Sequence, residues 1–88
     1  MTKEELKNLV EECGEAIITY RSEVSKKMKY NVCTLDFDNE YIKTKQNRAA
    51  EADDTLLVFC WDVDAYRLFK ANSVTSVVPL AKALKEAE

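Results

Sequence analysis

Residues 55–61 read Thr-Leu-Leu-Val-Phe-Cys-Trp, the most apolar run in the chain. Its β-branched and aromatic residues predict a β-strand. Leu57, Phe59 and Trp61 fall on one face of that strand, and residues 56, 58 and 60 make the other face apolar as well. A strand that is apolar on both faces is normally central in its sheet and covered from two sides. The run therefore predicts a sheet whose central strand needs two covering layers.

Further strand patterns lie on both sides of this run. Residues 28–37 alternate in polarity and predict the first clear strand, and residues 41–46 predict a strand that returns after a polar turn. After a second turn, residues 65–71 predict a fourth strand. Because the turns are short, the four strands are expected to form an antiparallel meander.

The first segment predicts a helix. Thr2 and Glu5 have the spacing of a capping box, and apolar residues recur at helical spacing as far as Val24. We expect one helix through Val24, because the apolar stripe continues without a break. Gly14 leaves an alternative open, in which the helix ends just before this glycine and residues 15–21 form a strand.

The last segment predicts a second helix that begins near Ser76. Serine is a favourable N-cap residue, and Pro79 is tolerated only in the first turn of a helix because it lacks the backbone N–H. The chain of 88 residues fits one domain, residues 1–88. The expected fold is α+β: an antiparallel four-stranded meander flanked by an N-terminal and a C-terminal helix, in the order α-β-β-β-β-α.

The composition argues against the commonest kinds of catalytic site. The chain has no His, which excludes Ser–His and Cys–His pairs, and its single Gly excludes the glycine-rich loops that bind phosphate. Cys13, Cys33 and Cys60 are widely spaced in apolar surroundings, so we expect free thiols rather than a disulfide framework or a metal site. We therefore expect a protein that is not an enzyme and has neither a cofactor nor a metal.

The same features indicate an intracellular protein. Free thiols persist in reducing compartments, so we expect a cytoplasmic or nuclear location. No apolar stretch approaches the roughly 20 residues that a membrane-spanning helix needs, and no membrane association is expected.

Two helices are too few to cover both faces of the predicted central strand. The second apolar face therefore needs another cover. Leu57, Phe59 and Trp61 could pack in the core of a bent sheet, or they could contact a partner, since aromatic side chains dominate the contacts of binding surfaces. The leading hypothesis is a non-enzymatic protein–protein interaction or assembly subunit, with a protein partner or as a homodimer.

The middle of the chain suggests an alternative function. Residues 21–48 hold seven basic and four acidic residues, although the whole chain has a net charge of −3. Basic residues next to aromatic ones can bind nucleic acid or an acidic partner, and the candidates are Lys29, Tyr41, Lys43, Lys45 and Arg48. An RNA-binding module is thus the alternative, and it is not favoured because the chain is acidic as a whole.

Overall fold

The computed structural model describes residues 1–43 and 51–86 of the chain. Within these ranges there are two α-helices and five β-strands. The helices are α1 (Lys3–Cys13) and α2 (Leu80–Glu86), the strands are β1 (Glu15–Arg21), β2 (Met28–Thr34), β3 (Thr55–Cys60), β4 (Ala65–Lys70) and β5 (Val74–Pro79), and a 3₁₀ turn, Ala71–Ser73, joins β4 to β5.

The five strands form one antiparallel sheet in the order β4-β3-β2-β1-β5. The α+β class expected from the sequence is confirmed, and a helix lies at each end of the described chain. The expected number of four strands is wrong, because β1 and β5 were both assigned to helices and the strand expected at residues 41–46 is absent from its described part, 41–43. Residues 44–46 lie outside the described ranges.

The first helix is shorter than expected. Its capping box is confirmed: the Glu5 N–H donates to the Thr2 hydroxyl at 3.1 Å, and the Thr2 N–H donates to the Glu5 carboxylate at 3.3 Å. Gly14 then ends the helix with a positive φ of 72°, a conformation that glycine adopts without strain. The helix expected through Val24 is therefore wrong, because the chain after Gly14 pairs as β1 with both β2 and β5.

The last helix begins four residues later than expected. Ser76 lies within β5, and Pro79 is the last residue of that strand, opposite Ala16 of β1. Proline is accepted at such a strand end because its missing N–H leaves no ladder bond unmade. The β-branched residues Val77 and Val78 favour the strand, and α2 starts only at Leu80.

The sheet is strongly curled. β4 and β5 are its two outermost strands, yet only the 3₁₀ turn joins them. The four residue steps from Lys70 to Val74 span at most about 14 Å, whereas the outer strands of a flat five-stranded sheet lie about 19 Å apart. The sheet must therefore bend, and the rings of Tyr20 on β1 and Phe69 on β4 lie only 4.7 Å apart.

The inner face of the curled sheet carries the main core. Helix α1 closes over this face with Leu6 and Val10, which are both fully buried. The other buried members of this cluster are Ala16, Ile18, Cys33, Leu56, Val58, Cys60, Phe69, Ala71 and Val74. Since these residues come from α1, from all five strands and from the 3₁₀ turn, burial of this cluster holds the curled sheet together.

The outer face of β3 carries a second group of buried side chains. Leu57 is 4% exposed and Phe59 is 1% exposed. Phe37 of the connection packs against Tyr66, whose ring lies 5.2 Å from that of Phe59, and Ile42 of the same connection is also buried. Leu57 and Phe59 therefore belong to the core, which is one of the two alternatives that the sequence left open, and Phe37 and Tyr66 help to cover the ring of Phe59.

Candidate functional site

Strand β2 has a second neighbour along only part of its length. Cys33 and Thr34 pair with β3, and the Val32 carbonyl accepts the Trp61 N–H at 2.7 Å. Residues 28–30, at the start of β2, are exposed, and among the described strands they pair with β1 alone. Because the sheet curls, β4 faces this part of β2 across a groove.

The groove has a volume of about 670 Å³ and lies between the β1–β2 hairpin and β4. Its lining includes four cationic side chains: Arg21, Lys29, Arg67 and Lys70. Lys70 forms an ion pair with Glu23 at 2.9 Å, and among residues 1–43 and 51–86 the other three have no carboxylate partner. Three positive charges without a described carboxylate partner, placed around one concave surface, favour an anionic ligand.

A chain of hydrogen bonds fixes one wall of the groove. The Tyr20 hydroxyl donates to Asn31 Oδ1 at 2.8 Å, and Asn31 Nδ2 donates to Asp62 Oδ2 at 3.0 Å. Asp62 also accepts the Val32 N–H at 3.3 Å, which caps the strand edge where β3 has ended. Burial raises the pKa of Tyr20 although the nearby Arg67 opposes the shift, so the hydroxyl stays neutral and acts as a fixed donor.

A smaller cavity of about 360 Å³ continues the groove along β2. It shares Tyr20, Lys29 and Arg67 with the groove and adds Met28 and Tyr30. The Tyr30 side chain is 65% exposed, so its ring is free to stack against a ligand. The site thus combines cationic groups with aromatic and apolar surface.

The backbone of β4 borders the groove. The Leu57 N–H points away from β4 and donates to the Glu51 carboxylate at 2.6 Å. Since backbone groups alternate in direction along a strand, the neighbouring Val58 faces β4 and exchanges bonds with Arg67. The next residue, Leu68, therefore directs its N–H and C=O away from the sheet. No strand pairs with this outer edge in the part of the chain that the structure describes.

The side chains around the groove determine what chemistry it offers. In the described ranges no group of three or more Cys, Asp or Glu side chains is placed to hold a metal ion. Cys33 and Cys60 are buried against each other, and the Tyr20 hydroxyl donates its hydrogen bond to Asn31. The cationic and aromatic lining can bind a ligand through charge, stacking and backbone hydrogen bonds.

The residues expected to form a partner surface are placed differently from one another. Leu57 and Phe59 are buried, as described above. Trp61 is half-buried and packs edge-on against Phe59 at 5.1 Å, while its Nε1 is shielded from solvent and has no acceptor among the described residues. Only part of the Trp61 ring is accessible to a partner.

The residues expected to contact nucleic acid or an acidic partner are also separated. Lys29 lines the groove. Tyr41 and Lys43 are exposed in the connection after β2 and do not line it, and Lys45 and Arg48 lie outside the described residues. Sequence analysis missed Arg67, although an arginine between apolar residues of a strand was the available signal.

Comparison of the chain with models of protein families, with curated proteins and with solved structures finds no match. No helix in the described part of the chain is both long enough and apolar enough to span a bilayer.

Proposed function

We propose that this protein is a non-enzymatic protein-interaction module that binds an extended, acidic segment of a partner along the outer edge of β4. One observation supports the proposal above the others: a strand edge that no described strand pairs with borders a groove whose Arg21, Lys29 and Arg67 have no carboxylate partner among the described residues. Unpaired edge strands recruit a further strand, because their outward N–H and C=O groups need partners. Acidic side chains on that strand would complement the groove.

A labelled octapeptide of alternating Glu and Val tests this function. Fluorescence anisotropy should detect binding to the full chain, and a peptide of alternating Lys and Val should bind at least tenfold more weakly, since it meets the same cations. Equal binding of both peptides, or binding of neither, would contradict the proposal.

Two variants separate the backbone contribution from that of the side chain. Leu68→Pro removes an outward N–H without removing a bond to β3, so the affinity should fall about tenfold. Leu68→Thr also changes the side chain but keeps the N–H, and it should bind within about twofold of the original chain. Equal losses in the two variants would show that strand addition is not the binding mode.

A homodimer is a further form of protein–protein interaction that we predict for this chain. A second copy would qualify as the partner if its own extended segment occupied the β4 edge. Sedimentation velocity over a wide range of concentrations measures self-association directly. The dimer predicts a concentration-dependent sedimentation coefficient that Leu68→Pro abolishes, and a constant monomer would leave only a separate protein as partner.

A second candidate function is the binding of single-stranded RNA, and the exposed Tyr30 next to Lys29 favours it. Bases stack on such rings while cations neutralise the phosphates. A labelled oligonucleotide should then bind at about 50 mM salt with an affinity that falls steeply as salt is added. Tyr30→Ala should weaken this binding and Leu68→Pro should not, whereas peptide binding should respond to Leu68→Pro. An oligonucleotide that fails to bind at this salt excludes the second candidate.

A further inference from the structure

Two of the three cysteines meet across the junction between β2 and β3. Cys33 and Cys60 lie directly opposite each other in the register of the two strands, and their Sγ atoms are 3.4 Å apart. Both side chains are fully buried. The sulfur contact thus joins two strands whose ladder consists of only two residue pairs.

The register places these cysteines at a position that suits a covalent link. The Trp61 N–H donates to the Val32 carbonyl, and this bond flanks the Cys33–Cys60 pair. The pair is therefore of the type that exchanges no backbone hydrogen bonds, for which the Cα atoms lie about 4.5 Å apart. Disulfides join Cα atoms about 4.4 to 6.8 Å apart, so the backbone geometry already permits the bond.

We propose that Cys33 and Cys60 form a dithiol modification site, which a peroxide converts to a cross-strand disulfide joining β2 to β3. The sulfur atoms must approach by about 1.4 Å to reach the length of an S–S bond. Side-chain rotation at the two cysteines supplies this movement while the strands keep their register. The site is independent of the groove and of the proposed function.

The reaction proceeds in two balanced steps. The Cys60 thiolate attacks one oxygen of hydrogen peroxide, and the O–O bond breaks to give a sulfenic acid and hydroxide. The Cys33 sulfur then attacks the sulfenic sulfur, its proton leaves with the departing hydroxide as water, and the S–S bond forms. Two thiols and one peroxide thus give one disulfide and two waters.

The contact between the sulfur atoms selects which thiol reacts first. Either sulfur can donate in this contact, and the hydrogen bond between them lowers the pKa of Cys60 and raises the pKa of Cys33. The first proton therefore leaves from Cys60, whose thiolate is the nucleophile. Because the β2–β3 ladder is short, local opening at this junction gives a small peroxide access to both sulfurs together.

Oxidation of the native full-length chain tests the site. Treatment with hydrogen peroxide should lower the intact mass by about 2 Da and leave one thiol for alkylation in urea. Peptide mapping should place the disulfide between Cys33 and Cys60, and Cys13→Ser should form the same bond. The melting temperature should rise by roughly 10–20 °C and return to its original value with a reductant, because the bond joins positions 27 residues apart.

The chain unfolded in urea is the matched control. It should form disulfides that include Cys13, because no strand register then selects a pair. The proposal is overturned if the native chain keeps three alkylatable thiols under conditions that oxidise the unfolded chain. It is also overturned if every disulfide of the native chain includes Cys13.

Discussion

The two ends of β2 differ sharply, although they belong to one strand. At the closed end, residues 31–34 are paired or capped on both sides and pack next to β3. At the open end, residues 28–30 pair with β1 and with no other strand of the described ranges, and their side chains are exposed. The difference shows that curling gives the two ends of one strand different surroundings. β3 holds one end of β2 in the core, while the other end diverges from β3 and forms a wall of the groove.

The largest expected contrast comes from removing an aromatic ring at each end. Phe59→Ala, beside the closed end, should lower the free energy of unfolding by about 3–5 kcal/mol, because the buried ring leaves a cavity. Tyr30→Ala, at the open end, should change it by less than about 0.5 kcal/mol. Urea denaturation followed by circular dichroism measures both.

The milder change Phe59→Leu should lower the free energy of unfolding by about 1–1.5 kcal/mol. This variant replaces Phe59→Ala in the comparison if Phe59→Ala does not fold. Similar losses for Phe59→Leu and Tyr30→Ala would mean that the two ends are packed alike.

The next effect concerns the hydrogen bonds at the boundary between the two ends. Asn31→Ala removes the group that accepts from Tyr20 and donates to Asp62, so it should cost about 2 kcal/mol. The loss follows because the part-buried Tyr20 hydroxyl is left without a partner. The exposed Asn72 provides the control, since Asn72→Ala should stay within about 0.5 kcal/mol in the same denaturation measurement. A loss at Asn31 no larger than that at Asn72 would show that the network does not stabilise the boundary.

A smaller effect is expected from the helix that supports the closed end. Thr2→Ala removes the N-cap of α1 and should cost about 1 kcal/mol, whereas Thr2→Ser keeps the accepting oxygen and should cost much less. The hydrogen bonds with Thr2 hold the pKa of Glu5 below its ordinary value of 4.5. Glu5 therefore stabilises the fold above pH 4.5 and loses this contribution as the pH falls through its folded pKa.

The pH dependence gives this prediction a second measurement. The acid-induced loss of stability below pH 4.5 should be shallower in Thr2→Ala than in the original chain. An unchanged slope would mean that Thr2 does not set the pKa of Glu5.

The smallest effect is expected at the groove beside the open end, where Lys70 of β4 pairs with Glu23 of the β1–β2 hairpin. Both side chains are at least half exposed, so Lys70→Gln should change the free energy of unfolding by less than about 0.5 kcal/mol. Lys27→Gln is the matched control for loss of one exposed charge. A double-mutant cycle of Lys70→Gln with Glu23→Gln measures the pair itself, and a coupling above about 1 kcal/mol would show that the open end is more rigid than its exposure indicates.

Several features could be predicted from the sequence because the residues that produce them are close together in the chain. The capping box of Thr2 and Glu5 depends on residues three positions apart. The burial of Leu57 and Phe59 follows from a run that is apolar on both faces. In both cases the deciding residues are neighbours in the chain.

Other features could not be read because they depend on distant residues. Residues 15–20 suit either a helix or a strand, and pairing with β2 and β5 decides between them. Arg67 joins Lys29 only because the sheet curls and brings β4 towards the start of β2. For the same reason the groove could not be assigned from the basic segment alone.

The sequence by itself determined the α+β class, the capped first helix and the doubly buried strand β3, since each depends on spacing along a short segment. Only the tertiary structure decided that β1 and β5 are strands, that Phe37 packs against Tyr66 on the outer face, and that Cys33 meets Cys60. The physical reason is that strand pairing and sheet curvature link residues far apart in the chain, and their free energy outweighs the weak local preferences of the segments involved.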